Sequence, residues 1–162
     1  MNTAANGLQV FNQNDNGWDQ GQIMMTPDKV WLSPYGWSQA MLSKHAKDFD
    51  VPLHVKIHGE QRRLEVGAYR SAKGVGLRLV HWEGTDLEVN ITGRCLGALR
   101  FVVAEILTAP SMQALNSPLE PELVKPQPWP VTLLPNLLRL QLPGYALVTL
   151  ELRELRGQVF IA

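Results

Sequence analysis

Hydrophobic and polar residues alternate along most of the chain after residue 46, as they do in half-buried β-strands. About seven segments follow this pattern, and one of them is apolar on both faces, which indicates a central strand. The segments cover residues 53–57, 64–68, 75–79, 87–91, the central 101–107, 138–142 and 148–152. Short strands at this spacing, separated by glycine and proline turns, predict a mainly β chain with an antiparallel, jelly-roll-like β-sandwich over residues 47–162.

The first 46 residues have a different character, because they are rich in asparagine, glutamine and tryptophan. They contain one short apolar stretch, at 23–25, which predicts a strand. A helix should follow, since Ser33 can cap its amino end and Pro34 suits its first position. Trp37 and Met41 would share its apolar face, and the helix should run to about residue 46. One short strand and one α-helix are therefore expected ahead of the sandwich.

Two further segments are irregular in pattern. Residues 118–135 are rich in proline, which has no backbone N–H donor, so this stretch is expected to cross the surface as a long connection. The tail, 154–162, ends in an apolar run and is expected to be an edge strand or a loose end.

Composition and charge exclude several classes of function. The chain has 162 residues, of which 45% are hydrophobic and 19% charged, so it is long and apolar enough for a well-cored globular domain. Its formal net charge is zero, which argues against a nucleic-acid partner, because binding phosphates needs a basic excess. No apolar run approaches the roughly 20 residues of a membrane helix, so no membrane association is expected.

The sequence contains few features that indicate the cellular compartment of the protein. A single cysteine, Cys95, cannot form an internal disulfide, and it has no histidine partner nearby that would activate its thiol. Residues 1–7 lack the charged and apolar segments of a signal peptide. The cytoplasm is therefore the default expectation, although a truncated amino terminus would also have lost an export signal.

The acidic residues do not form a recognisable catalytic pair. Retaining glycosidases need two carboxylates about 5–5.5 Å apart. Most acidic residues here fall in turns or on the wet sides of predicted strands, where a solvated surface charge is the simpler interpretation. Glu105 is the exception, because it lies in the central apolar run, and it is expected to be a partly buried, hydrogen-bonded group. No catalytic residue is predicted.

Histidine spacing does not predict a metal site. His54 and His58 are four residues apart, a spacing that would suit zinc binding on a helix. On a strand, the same spacing places them about 13 Å apart, which is too far for one ion. His45 falls near the end of the predicted helix, where a charged imidazole would complement the helix dipole. The sequence also lacks phosphate-binding and dinucleotide-binding fingerprints, so neither a metal nor a cofactor is expected.

The segment 14–22 is the polar cluster that best suits a ligand. Its asparagine and glutamine amides can exchange hydrogen bonds with sugar hydroxyls, and Trp18 can stack on a sugar ring. The alternative is that Trp18 anchors the loop by packing.

Segments at opposite ends of the chain resemble the C-terminal portion of α-L-arabinofuranosidases of glycoside hydrolase family 51. Those at the amino end are the polar cluster 14–22, the stretch 26–34 and the helix signal beginning Ser33-Pro34-Tyr35-Gly36-Trp37. Those at the carboxyl end are Asn116-Ser117-Pro118 and Leu142-Pro143-Gly144-Tyr145, which precedes the last predicted strand. The resemblance covers nearly all of this chain but only the tail of such an enzyme.

The resemblance implies a division of the chain. Residues 1–46 correspond to the last β/α unit of a (β/α)8 barrel, and residues 47–162 correspond to the sandwich that follows it. Trp18 and Gln20 match a tryptophan-x-glutamine element that borders the arabinose pocket, with Asn16 and Gln22 as further candidates. The family's paired catalytic glutamates lie on barrel units that this sequence lacks, so the chain is not expected to be an enzyme on its own.

Three functions remain open at this point. The leading hypothesis is a non-catalytic accessory part of an α-L-arabinofuranosidase, which in the intact enzyme removes terminal arabinofuranosyl residues from arabinan or arabinoxylan. The second is a stand-alone carbohydrate-binding module for arabinose-containing hemicellulose, which predicts an exposed row of aromatic residues such as Trp82, Trp129 or Tyr69. The third is a subunit that completes a hydrolase with a separate catalytic chain.

Possible partners follow from the same hypotheses. An arabinose-containing polysaccharide is the expected ligand. One strand and one helix cannot close a barrel, so the apolar face of Trp31, Trp37 and Met41 must pack on the sandwich, on another copy, or on a barrel from another chain. An open sheet edge would favour a homo-oligomer or association with another chain.

Overall fold

The computed structural model describes residues 7–13, 20–59, 63–72, 74–93, 96, 99 and 101–153. Its amino-terminal elements are β1 (Leu8–Val10), β2 (Ile23–Met25), β3 (Val30–Leu32) and α1 (Pro34–Ala46). The remaining elements are β4 (Val51–Leu53), β5 (Leu64–Ser71), β6 (Gly74–His81), β7 (Leu87–Thr92), β8 (Phe101–Thr108), β9 (Gln127–Pro128), β10 (Thr132–Leu134), β11 (Leu137–Leu142) and β12 (Ala146–Arg153). Within the described residues, no helix has the length and apolar character that crossing a bilayer requires.

Two antiparallel sheets form the sandwich. The larger has six strands in the order β4-β5-β6-β12-β8-β9, and the smaller has the order β10-β11-β7. Alternate side chains of β6, β11 and β12 meet between the sheets, where Leu79, Leu138, Leu142, Val148 and Leu150 are fully buried. Because period-two alternation places these residues on one face of each strand, the predicted antiparallel β-sandwich is confirmed.

The helix packs on the outer face of the six-stranded sheet. Ser33 caps it, since its Oγ accepts a hydrogen bond from Gly36 N at 3.1 Å, and Pro34 opens its first turn. Met41 packs with Leu107 of β8 and Val124, and Trp37 lies against the same cluster. The helix bounds confirm the prediction, and the sandwich is what covers its apolar face.

The amino-terminal part also contains a small sheet, with strand order β1-β2-β3. The predicted strand at 23–25 is its central member, while β1 and β3 were not predicted. β1 runs parallel to β2, with Leu8 opposite Ile23, and β3 runs antiparallel to β2, with Trp31 opposite Met24. Three residues give too short an alternation for a strand to be recognised from sequence.

The predicted strand at 53–57 is wrong in its extent. β4 covers Val51–Leu53 and pairs with β5 through Leu53 and Ala68, and the residues from His54 to His58 are not in a strand. Exposure still alternates there, with Val55 and Ile57 half-buried, so the alternation reflects burial outside an assigned strand. Cys95 and the tail from 154 lie outside the described residues.

Candidate functional site

The backbone leading into β2 is held against the start of α1. Ser33 N donates to Gln22 O at 2.9 Å, and Ser33 Oγ donates to Gly21 O at 2.7 Å. Gly36 leaves no room for a side chain here, because a Cβ at this position would lie 2.2 Å from Gln22 O. The segment that joins the predicted sugar-binding loop to β2 is therefore fixed by the first turn of the helix.

A buried glutamine fixes the same segment from the β1 side. Gln9 is almost fully buried, and its Oε1 accepts a hydrogen bond from Gly21 N at 2.8 Å. A Cβ on Gly21 would lie only 2.6 Å from Gln9 Cβ, so glycine allows the two backbones to approach. Gln9 was not among the predicted site residues, and its position on the buried face of β1 gives it a structural role.

Two of the four predicted sugar-binding residues lie in the described part of the chain. Gln20 is exposed and Gln22 is half-buried, whereas Asn16 and Trp18 lie outside the described residues. Gln20 and Gln22 directly precede β2, so they lie at its amino end, beside the amino end of the parallel strand β1. Sites in barrels gather instead at the carboxyl ends of parallel strands. The contact of these four residues with sugar stays a prediction.

The carboxyl ends of β1 and β2 form a rim that is tied to the proline-rich connection. Phe11 N donates to Met25 O at 2.9 Å, and a tight turn follows β2, in which Thr26 N donates to Lys29 O at 2.8 Å. Lys29 Nζ then reaches Pro118 O at 2.9 Å. The rim is thus attached to the sandwich through the connection.

Asn116 is the buried residue that joins the small sheet to this connection. Its Nδ2 donates to Leu32 O at 2.8 Å and to Val124 O at 2.9 Å, and its Oδ1 accepts from Val124 N at 2.8 Å. Its backbone carbonyl accepts from Trp31 Nε1 at 3.2 Å. All these groups are removed from water, so each depends on the bond it makes here. In the sequence, Asn116 is notable only as part of the Asn116-Ser117-Pro118 segment that carries the family resemblance.

The two faces of the small sheet differ sharply in exposure. Gln9, Met24 and Trp31 lie opposite one another and are buried toward the helix and the connection. The other face is formed by the alternate residues of all three strands, and every one of them is apolar: Leu8, Val10, Ile23, Met25, Val30 and Leu32. Leu8 is 58% exposed and Val30 is 67% exposed. Val10 and Ile23 are exposed as well, whereas Met25 and Leu32 are half-buried.

Several described carboxylates are paired with neighbouring side chains. Glu105, predicted to be partly buried and hydrogen-bonded, accepts a bond from Lys44 Nζ of α1 at 2.8 Å. Glu83 pairs with the Arg63 guanidinium at 2.9 Å. Elsewhere Glu122 pairs with Lys125, Glu151 with Arg153, and Glu88 accepts from Asn90. Within the described ranges, no group of three or more histidine, cysteine or acidic residues is placed to hold a metal ion.

His45 lies near the end of α1, as predicted, and it is buried. Arg78 Nε donates to its Nδ1 at 3.0 Å, so Nδ1 is the acceptor and Nε2 carries the proton that reaches Leu150 O at 3.1 Å. Burial, with the nearby Arg78 charge as a smaller cause, lowers the pKa of His45 below its ordinary 6.5. Beyond its place near the helix end, the ring therefore joins α1 to the six-stranded sheet.

The three aromatic residues proposed for a binding row line separate surfaces. Trp82 is 42% exposed beside a cavity of about 240 Å³ on the outer face of the six-stranded sheet. Trp129 is half-buried and lines another cavity, of about 410 Å³, beside β10 and β11. The Tyr69 ring lies under the Arg78 guanidinium, 3.9 Å from its centre. These three residues therefore do not line one common cavity.

Comparison with protein-family models identifies the family of this chain. Residues 1–146 match the model described as the α-L-arabinofuranosidase C-terminal domain. The chain belongs to the α-L-arabinofuranosidase C-terminal domain family. The match spans both the amino-terminal strands and helix and nearly all of the sandwich, in agreement with the resemblance noted above. No curated protein sequence matches the chain.

Solved structures with the same fold include arabinofuranosidases and a xylanase. A family 51 arabinofuranosidase from Xanthomonas axonopodis pv. citri superposes with a TM-score of 0.67 at 22% identity, over 83% of this chain and 29% of that one. An arabinose complex of the Thermotoga maritima α-L-arabinofuranosidase gives 0.70 at 16% identity, over 80% and 31%. The catalytic domain of the family 30 xylanase C from Talaromyces cellulolyticus gives 0.63 at 19%, over 90% and 29%.

These superpositions show that the arabinofuranosidase C-terminal domain shares its fold with parts of larger proteins. The chain spans less than a third of the length of each of these three structures. The fold also occurs in a protein described as a xylanase, so the fold alone does not decide a substrate.

Proposed function

We propose that this arabinofuranosidase C-terminal domain is a non-catalytic accessory part, which supports a separate set of barrel units that carries the catalytic carboxylates. With those units, the assembled enzyme would remove terminal arabinofuranosyl residues from arabinan or arabinoxylan. The observation that carries the proposal is the apolar outer face of the sheet β1-β2-β3, on which Leu8, Val10, Ile23 and Val30 are exposed.

Two features of this sheet fit a piece of a barrel wall. β1 and β2 run parallel, which is the strand arrangement of (β/α)8 barrels, while the neighbouring strands in the sandwich sheets are antiparallel. The inner face of a barrel is filled by bulky branched residues, and the exposed face here offers Leu8, Val10, Ile23 and Val30. The opposite face is packed by α1 and the connection, as the outer face of a barrel strand is packed by its helix.

The pairing of the described carboxylates supports a non-catalytic role. Glu83 and Glu105 are each bound to a cationic side chain, so neither has a free carboxylate aimed into a cavity. The two cavities described above are lined by other residue types. The sugar contacts of Trp18, Gln20, Asn16 and Gln22 belong to this proposal as contributions to the rim of the assembled site.

Hydrolysis by the chain alone is the first test. The purified chain should release no nitrophenol from a nitrophenyl α-L-arabinofuranoside above the buffer rate, because the reaction needs two facing carboxylates. Turnover that scales with protein concentration, and persists after further purification, would contradict the accessory role.

Association through the apolar face is the second test. Without its barrel units the chain should self-associate with increasing concentration in sedimentation velocity, since an uncovered apolar sheet face and open strand edges favour pairing. Leu8→Lys should abolish the association. Leu134→Lys, an exposed leucine on the far sheet, is the matched control and should leave it unchanged. A chain that stays monomeric at all concentrations would count against the proposal.

A further inference from the structure

We propose that the cavity beside β10 and β11 is a saccharide-binding site, with Trp129 as its stacking platform and Thr132, Arg139 and Gln141 as its hydrogen-bonding groups. The cavity holds about 410 Å³, within the range of about 300–1,000 Å³ that small-ligand sites occupy. This inference goes beyond the accessory role. It is independent of that role, because the site lies on the sheet β10-β11-β7, across the sandwich from α1.

The cavity arises from a short strand. β10 pairs with β11 only from Thr132 opposite Arg139 to Leu134 opposite Leu137. β11 continues to Leu142, so its last residues have a partner strand on the β7 side only. The chain reaches β10 from the other sheet through residues 129–131. These residues border a notch, the gap beside the part of β11 that β10 does not cover, and this notch is the cavity. The notch is thus a consequence of where the chain crosses between the two sheets.

Trp129 is held rigidly at this crossing. It stands between Pro128 and Pro130, each of which fixes its own φ angle, and its backbone N–H donates to Ala104 O at 2.9 Å. The side chain packs against the sandwich core and also lines the cavity. An indole that is already immobilised loses little entropy when a sugar ring stacks on it, and this favours binding.

The polar groups around the cavity are available for a ligand. Thr132, Arg139 and Gln141 are exposed, and their side chains make no hydrogen bond or ion pair with any other described residue. Arg139 lies opposite Thr132, and Gln141 projects from the same face of β11, about 7 Å further along the strand. The neighbouring Asn90, by contrast, already donates to Glu88 at 2.9 Å. A guanidinium, an amide and a hydroxyl beside an indole match the hydroxyls and C–H face of a sugar.

The cavity beside Trp82 has a different lining, and the comparison explains why a saccharide is assigned to the Trp129 cavity. It is lined mainly by aliphatic side chains, including Val80, Met112 and Leu147. Its Thr108 hydroxyl donates to Gly144 O at 3.0 Å, and both ring nitrogens of its His81 lie within 2.9 Å of backbone carbonyls. An aromatic residue is present in both cavities, but only the Trp129 cavity combines it with a free guanidinium and a free amide.

Calorimetric titration tests the proposal with a defined probe, a xylotriose that carries one arabinofuranosyl group. The intact chain should bind it saturably with a dissociation constant of about 1 mM, as expected for a shallow site. Arg139→Ala should weaken binding about tenfold and Gln141→Ala about fivefold, because each removes a hydrogen bond to the sugar. Arg70→Ala removes an exposed arginine of β5 and is the matched control, with no expected change.

Trp129 is tested by two substitutions, since its side chain also packs against the core. Trp129→Tyr should retain weak binding, and Trp129→Ala should lose it; a thermal melt of each variant shows whether the sandwich is intact. The absence of saturable heat up to about 10 mM probe, or equal affinity of the Arg139→Ala and Arg70→Ala variants, would overturn the proposal. Neither result bears on the accessory role, which is judged by hydrolysis and self-association.

Discussion

The part of the chain that the structure describes contains two three-stranded sheets, and their outer faces differ in polarity. The outer face of β10-β11-β7 is mostly polar and faces water, as one face of an antiparallel sheet commonly does. It carries Glu88, Asn90, Thr92, Thr132, Arg139 and Gln141, with Leu134 and Leu137 at one end. The outer face of β1-β2-β3 carries only apolar side chains, four of which are classed as exposed. The difference indicates that the first face is complete, whereas the second requires a partner that the described chain does not supply.

The two sheets also differ in what stabilises them. The sandwich sheets bury a continuous core of leucine and valine side chains between them. The small sheet has three residues in each strand and packs through one face, with much of its attachment made by the Asn116 side chain and by α1. A two- or three-stranded sheet is stable only when it packs against another element, so the attachment matters more than the strands themselves.

The largest expected effect comes from leucine truncation in the two regions. Leu138→Ala removes a fully buried side chain from the core of the sandwich and should lower the free energy of unfolding by about 2–5 kcal/mol. Leu8→Ala truncates an exposed side chain of the small sheet and should change it by less than about 0.5 kcal/mol. Urea denaturation of both variants measures the difference. Similar losses would mean that the outer face of the small sheet is already buried in solution, by a second copy or otherwise.

The attachment of the small sheet is tested at Asn116. Asn116→Ala leaves Leu32 O, Val124 O and Val124 N without their partners, in a region from which water is excluded. Unsatisfied buried groups of this kind should lower the free energy of unfolding by about 2–3 kcal/mol. Amide hydrogen exchange should quicken in β3 while β12 keeps its protection.

Asn90→Ala is the control for this experiment, because Asn90 is an exposed asparagine whose side chain bonds only to Glu88. It should behave like the unmodified chain in both measurements. Uniform loss of protection across β3 and β12 in Asn116→Ala would show that the small sheet and the sandwich unfold as one unit, and this would remove the distinction between the two regions.

Much of the fold could be predicted because burial alternates over six or more residues in the long strands. In β11, Leu138, Leu140 and Leu142 are buried and the residues between them are exposed. This alternation of apolar and polar residues with a period of two is what predicts a strand from sequence. The helix was predictable from the local chemistry of Ser33 and Pro34. β1 and β3 were missed because three residues cannot establish a period, and residues 54–58 alternate in exposure without a strand partner.

The site was less predictable, because its parts are distant in sequence. The bond from Asn116 to Leu32 O joins residues 84 positions apart, and no local pattern indicates it. The contacts of His45 were not predictable for a related reason, since Arg78, which donates to its Nδ1, lies 33 positions away on β6. The Trp129 cavity depends on β10 beginning opposite Arg139, which is set by the strand register.

The smallest expected effect concerns the pH dependence of the helix attachment. His45 has a lowered pKa in the folded chain, chiefly because of burial, so the unfolded chain binds its proton first as pH falls. The stabilising contribution of neutral His45 is therefore complete above about pH 6.5 and is lost as pH falls from there toward the pKa of His45 in the folded chain. The free energy of unfolding should fall by no more than about 1.4 kcal/mol per pH unit from this cause. Unfolding free energies measured between pH 7.5 and 5, values that bracket the ordinary histidine pKa of about 6.5, report the slope.

Two glutamine substitutions identify the source of this slope. His45→Gln keeps a donor for Leu150 O and an acceptor for Arg78 Nε but cannot be protonated, so the part of the slope due to His45 should disappear. His54→Gln changes an exposed histidine that makes no contact with the helix attachment, and it should keep the profile of the unmodified chain. If both variants kept that profile, the ring of His45 would not be the group that loosens α1 from the sandwich at low pH, and the helix would owe its position to Met41 and its apolar neighbours alone.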